Sequence, residues 1–233
     1  RASTAEVLRH RDVGSLTDQE RAQLAVLFDS LEVVAPLRRA LRRRPHHRGA
    51  VDLRDTLRAQ LRSGGELARL RRRRSGVRRR RVVVLIDVSA PIQPYADSLL
   101  RLAHRIVRAM PNQVEVFTIG TRLTRISPAL RVRQADEALA AVGRLVPDWS
   151  GGTRLGEVIG AFLSRWGRRG LARSAVVVIA SDGWERGDAQ LLGEQMRQLR
   201  LLAYAVIWMN PHRGKAGYAP IQTGIQACLP HLD

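Results

Sequence analysis

Apolar residues recur along this chain in two rhythms. Residues 82–86, 114–119, 176–180 and 203–208 are short runs rich in β-branched side chains, the pattern of strands covered on both faces. Between them, Leu99, Leu102, Ala103, Ile106, Val107 and Met110 fall three and four apart, which predicts an amphipathic helix over 95–109. The same spacing predicts helices over 134–145, 154–166 and 188–201, while 123–126 forms a short hairpin partner for the second strand. Strands alternating with helices predict an α/β fold with a doubly wound, mostly parallel sheet.

The first third of the chain follows other rules. Thr17 and Glu20 form a capping-box pair ahead of Leu24, Leu27, Phe28 and Leu31, so a helix begins near Asp18 and ends before Pro36. Asp52 caps a second helix with Leu53, Leu57 and Leu61 on one face and a parallel stripe of Arg54, Arg58 and Arg62. Ser63-Gly64-Gly65 stops it. Arginine quartets at 71–74 and 78–81 flank Ser75-Gly76 and read as an exposed linker. The expected organisation is an N-terminal helical, Arg-rich extension over 1–81 and an α/β domain over 82–233.

Charge sharpens this division. The net charge of +19 is concentrated in residues 38–81, where eighteen arginines face only Asp52, Asp55 and Glu66. Such a segment attracts an acidic protein surface or a nucleic acid. Aromatic residues make up only 4% of the chain, and none lies in the Arg-rich stretch to stack on bases, which ranks protein docking ahead of nucleic acid. With 233 residues the chain is long enough for one sizeable core with an appendage. No apolar run approaches the roughly 20 residues of a membrane-spanning helix. The chain opens at Arg1 without a leader-like segment and reads as a piece of a longer parent. Its one cysteine, Cys228, excludes an internal disulfide and a cysteine-based zinc site, and suits a reducing, cytoplasmic setting.

Candidate chemistry lies in three polar clusters: Asp87-Val88-Ser89 after the first buried strand, Gly151-Gly152-Thr153, and Ser181-Asp182-Gly183 after the third. Asp87, Ser89, Thr153 and Asp182 supply two carboxylates and two hydroxyls, the hard oxygen donors that Mg²⁺ or Mn²⁺ accepts. Strand ends on one rim of a parallel sheet are where open α/β folds place ligands. Each cluster also has a plainer reading as a helix cap, with Glu157 as the capping-box partner of Thr153. Pro91, two residues beyond Ser89, offers no side-chain ligand. Trp149 and Trp184 border the clusters and frame a docking surface; Trp208 reads as a packing residue. The chain has no GxSxG, HExxH or GxxxxGK[ST] motif, which argues against catalysis.

The order strand-Asp87-x-Ser89, Gly-Gly-Thr153, strand-Ser-Asp182-Gly resembles the metal-ion-dependent adhesion site of von Willebrand factor A domains. Trp149 to Gly156, Ser181 to Arg186, Val206 to Pro211 and the upstream Arg-rich stretch make the CoxE-like branch of that superfamily the closer likeness. The resemblance implies a non-enzymatic interaction module acting beside a MoxR-type AAA+ ATPase. Its implied client is a molybdenum-containing carbon monoxide dehydrogenase, whose maturation it assists. It also implies that Asp87, Ser89, Thr153 and Asp182 hold Mg²⁺ or Mn²⁺, with a partner carboxylate completing the coordination. In this pattern Pro91 replaces a ligand serine. The alternative expectation is a basic nucleic-acid-binding module built on an α/β domain.

Overall fold

The computed structural model describes residues 13–65, 69–146, 152–214 and 219–233. In chain order the main elements are α1 (Asp18–Ser30), β1 (Leu37–Val51), α2 (Leu53–Arg62), β2 (Arg72–Arg79), β3 (Val82–Asp87), α3 (Gln93–Ala109), β4 (Val114–Ile119), β5 (Leu123–Arg125), α4 (Ala135–Leu145), α5 (Leu155–Phe162), β6 (Val176–Ala180), α6 (Ala189–Leu202), β7 (Ala205–Met209) and α7 (Thr223–Cys228). They divide into two compact units, residues 35–80 and the remainder.

The larger unit is built on a five-stranded sheet in the order β5-β4-β3-β6-β7. β3, β4, β6 and β7 run parallel, and β5 closes one edge antiparallel to β4. Every residue of β3 is buried, as expected for a central strand with helices over both faces. Val83, Leu85, Phe117, Ile179 and Val206 from four strands join Leu155, Ile159, Phe162, Met196 and Leu199 from the helices in one core. Phe117 meets Phe162 edge-on at 5.4 Å between ring centroids. The helix expected over 154–166 starts at Leu155 and continues beyond Phe162 in wider π turns through Leu171, where Gly170 turns left-handed at φ 125°.

α1 belongs to this unit and touches α3. Its capping box is formed: the Thr17 hydroxyl accepts from the Glu20 amide at 3.3 Å, and the Thr17 amide donates to Glu20 Oε2 at 2.9 Å. Arg105 on α3 donates to the Leu31 carbonyl at 2.9 Å, tying down the end of the segment.

The smaller unit corrects the sequence reading. Residues 72–79, expected within an exposed linker, are strand β2, which pairs antiparallel with β1 over two irregularities. The stretch is therefore not wholly helical. Charge hid the strands: both faces of the ribbon carry arginines, so no apolar alternation marks it, yet pairing still satisfies the backbone amides. The expected helix α2 is present, and Asp52 caps it by accepting from the Asp55 amide at 3.2 Å. Thr56 anchors α2 to the ribbon, donating to the Asp52 carbonyl at 2.8 Å and accepting from the Arg71 amide at 3.0 Å. The outer face of α2 alternates Leu53, Leu57 and Leu61 (68, 58 and 81% exposed) with exposed Arg54, Arg58 and Arg62.

Candidate functional site

The winding of the sheet reverses at β3, with β4 on one side and β6 on the other. Open α/β sheets form a crevice at the carboxyl ends of such neighbouring strands. β3 ends here in Asp87, and Ser181 and Asp182 directly follow β6. Thr153 arrives from the turn before α5.

Asp87 is the centre of the arrangement and is wholly buried. Its Oδ1 accepts from the Ser89 amide at 2.8 Å and the Thr153 hydroxyl at 3.0 Å. Its Oδ2 accepts from the Ser181 hydroxyl at 2.6 Å. Burial pushes the Asp87 carboxyl above its ordinary range, while the bonds from Ser181, Ser89 and Thr153 pull it back. Ser181 is thus a site residue outside the predicted donor set. A hydroxyl directly between a buried strand and an aspartate was the signal for it.

Asp182 is buried and its Oδ1 accepts from the Trp184 amide at 3.0 Å. Asn210 donates to the Asp182 carbonyl at 3.0 Å, and the Trp208 indole donates to the Ser181 carbonyl at 2.9 Å. Trp208 is therefore half-buried and braces the loop. Gly183 takes φ 81°, and a Cβ there would lie 2.8 Å from Ile225 Cβ; only glycine lets the loop pass α7.

The helix-cap reading of Thr153 fails. α5 begins at Leu155 with no side-chain cap, the Thr153 hydroxyl turns to Asp87, and Glu157 pairs with Arg154 at 3.1 Å. Glu185, part of the Ser181 to Arg186 motif but given no role from the sequence, takes the position at the helix start. Its Oε2 accepts from the Gly156 amide at 2.8 Å and its Oε1 from the Gly187 amide at 2.5 Å. This buried carboxylate pins the Thr153 turn to the loop after β6, at a helix N-terminus that favours negative charge.

The donor chemistry suits a divalent cation. Thr153 gives its only hydroxyl proton to Asp87, which leaves its lone pairs unspent. Ser181 does the same, but one lone pair is taken by the Gly183 amide at 3.1 Å. Ser89 and Thr153 line an open cleft of about 80 Å³ with Ala90, Pro91, Gly152, Trp184 and Arg186. Ser89 and Thr153 are the oxygen donors that could hold an ion there, with Asp87 orienting the Thr153 hydroxyl. Pro91 contributes no oxygen, so Mg²⁺ would keep additional waters. Among the described residues no group of three or more His, Cys, Asp or Glu side chains could hold a metal.

Of the four predicted donors, Asp87, Ser89 and Thr153 are joined by hydrogen bonds, while Asp182 directly follows Ser181, a further partner of Asp87. Trp184 stands on the cleft rim, 62% exposed, while Trp149 lies outside the described residues. Arg54, Arg58 and Arg62 belong to the other unit. Arg186 was not singled out from the sequence, yet it lines the cleft.

Among solved structures, the chain is similar to proximal thread matrix protein 1 of the mussel byssus, at 16% identity and a TM-score of 0.42. That likeness covers 56% of this chain and 37% of the mussel protein, little more than a third of its length. A second crystal structure of the mussel protein carries a zinc-occupied MIDAS motif (TM-score 0.38, 16% identity, 55% and 35% covered). The SpRpn10 VWA domain is also similar (TM-score 0.37, 14% identity, 64% and 82% covered). No curated protein sequence matches. The profile of one protein family, VWA domain containing CoxE-like protein, matches residues 27–233, which takes in both units apart from the first residues. A buried aspartate holding a hydroxyl ring at the switch point of a parallel sheet, under a profile that spans most of the sequence, places this chain in the VWA domain containing CoxE-like family.

Proposed function

We propose that this protein is a non-enzymatic docking and assembly factor. It acts with a MoxR-type AAA+ ATPase in maturing a molybdenum-containing carbon monoxide dehydrogenase or a related client. The observation that carries the docking reading is the size and lining of the cleft. At about 80 Å³ it holds the head of one side chain, far below the roughly 300–1,000 Å³ of small-molecule sites. Its rim carries an exposed tryptophan, the residue type that anchors protein interfaces. His104, the histidine nearest to Ser89 in the sequence, has its Nε2 against the Val132 carbonyl at 2.8 Å. That geometry supports docking over nucleophilic catalysis.

In this reading Asp87, Ser89, Thr153 and Asp182 hold Mg²⁺ or Mn²⁺, and the ion supplies a positive centre for an oxygen ligand of the partner. Trp184 and Trp149 frame the contact. Arg54, Arg58 and Arg62, interleaved with exposed leucines, offer a second face suited to an acidic amphipathic surface. No helix among the described residues is long and apolar enough to cross a membrane. The buried free thiol of Cys228 suits a reducing, cytoplasmic setting.

Co-elution with a purified MoxR-type ATPase tests the reading, alongside thermal denaturation in EDTA, Mg²⁺ and Mn²⁺. We expect a complex with wild type and a metal-induced rise in melting temperature that Thr153→Ala removes. No complex under any metal condition overturns the docking claim; no thermal shift at millimolar metal overturns the ion. A second reading rests on the exposed arginines of β1 and β2, which could neutralise phosphates. Tight, salt-steep binding of DNA or RNA with no protein partner would establish it.

A further inference from the structure

The cleft contains a positive charge of its own. Arg186 is anchored through its backbone, with its amide donating to the Thr153 carbonyl at 3.3 Å. Its side chain lies across Gly152: a Cβ at that position would come within 2.6 Å of Arg186 Nε and Nη1. With glycine at 152, the guanidinium lies directly against the backbone of that turn.

The described carboxylates closest to it in the site are engaged elsewhere. Asp87 accepts from Ser89, Thr153 and Ser181. Asp182 accepts from the Trp184 amide. Glu185, adjacent in sequence, turns inward to the amides of Gly156 and Gly187. Among the described residues no carboxylate oxygen lies within 4.0 Å of Arg186. The guanidinium thus faces a small cleft whose other walls are Ala90, Pro91 and the exposed Trp184, with the Ser89 and Thr153 hydroxyls at its floor.

We propose that Arg186 is the specificity-determining residue of this cleft, pairing directly with a Glu or Asp side chain of a protein partner, so that the cleft keeps affinity for that side chain even when no metal is bound. The inference rests on the docking reading above and deepens it. A planar guanidinium binds carboxylate in a two-pronged geometry that a metal ion does not require. The flat apolar wall of Ala90, Pro91 and Trp184 accommodates the methylene groups of the acidic side chain. Pro91, which removes an oxygen ligand from the ion, thereby adds apolar surface for the partner.

The test uses the full chain and two blocked tripeptides, acetyl-Gly-Glu-Leu-amide and its Gln counterpart, titrated by NMR in EDTA and in millimolar Mg²⁺. In EDTA we expect the Glu peptide to shift the Arg186 Nε–H and Trp184 indole resonances. The Gln peptide should bind at least about tenfold more weakly, the loss of one charge-assisted pair. Arg186→Gln should abolish the metal-free binding, and Arg186→Lys should keep part of it. Equal binding of both peptides, or metal-free binding that survives Arg186→Gln, overturns the proposal. Glu-peptide binding that appears only with Mg²⁺ also overturns it but leaves the docking cleft standing. Binding in neither condition defeats both.

Discussion

Removing the Ser181 hydroxyl tests the central claim, that Asp87 is a buried, ionised carboxylate stabilised by donated protons. Ser181→Ala deletes the 2.6 Å bond to Asp87 Oδ2 and the acceptor of the Gly183 amide. Ser181 and Asp87 are both fully buried, so water does not replace either bond. A bond to a charged group contributes about 1.5–3 kcal/mol and a neutral one about 1 kcal/mol, giving a destabilisation of about 3 kcal/mol. For a chain of this length that lowers the melting temperature by about 6–12 °C. The effect must also depend on pH. Burial raises the folded Asp87 carboxyl above its ordinary 3.8, so between that value and the folded one the folded state holds a proton that the unfolded state has released. Stability from this group is therefore greatest below the ordinary value and declines as pH rises towards the folded one. Loss of the Ser181 bond raises the folded value further. The penalty is largest where Asp87 is ionised in both proteins and shrinks on acidification as both become protonated. Urea denaturation in EDTA, followed by circular dichroism at pH 7 and near pH 4, measures both quantities. A penalty below about 0.5 kcal/mol at pH 7, or one that grows on acidification, would refute the reasoning.

Glu185→Gln leaves one side-chain oxygen for two backbone amides that now have one each. We expect a loss of about 1–3 kcal/mol in thermal or urea unfolding, with a correct fold by circular dichroism; a neutral result would show that Glu185 does not pin the Thr153 turn. Burial and the nearby Glu185 charge push the Cys228 thiol up to about 12. Because the reactive species is the thiolate, alkylation by iodoacetamide at mildly alkaline pH is expected to run roughly a thousandfold slower in the native chain than in urea. Comparable rates in both would place the thiol at the surface.

Much of the sheet domain was legible because its chemistry is local. The runs at 114–119 and 176–180 became strands with those limits, and Thr17, Glu20 and Asp52 acted as the caps their residue types imply. A strand covered on both faces must be apolar throughout, and a capping hydroxyl or carboxylate acts within three residues, so both leave a mark in a short window. Asp87, Ser89, Thr153 and Asp182 were equally visible as hydroxyls and carboxylates at strand ends.

What the chain order could not express was which protons go where. Thr153 could cap α5 or serve Asp87, and only the approach of the 152–154 turn to the end of β3 decided for Asp87. Glu185 and Arg186 are neighbours of opposite charge that a sequence invites one to pair. The fold separates them, sending Glu185 to buried amides and Arg186 across Gly152. The arginine ribbon of β1 and β2 was invisible for a related reason: its pairing is through the backbone, and most of its side chains face water. Local composition determined the strands, the helices and the oxygen donors. Hydrogen-bond partners separated by 66 and 94 residues, set by the parallel stacking of β3 and β6, determined what those donors do.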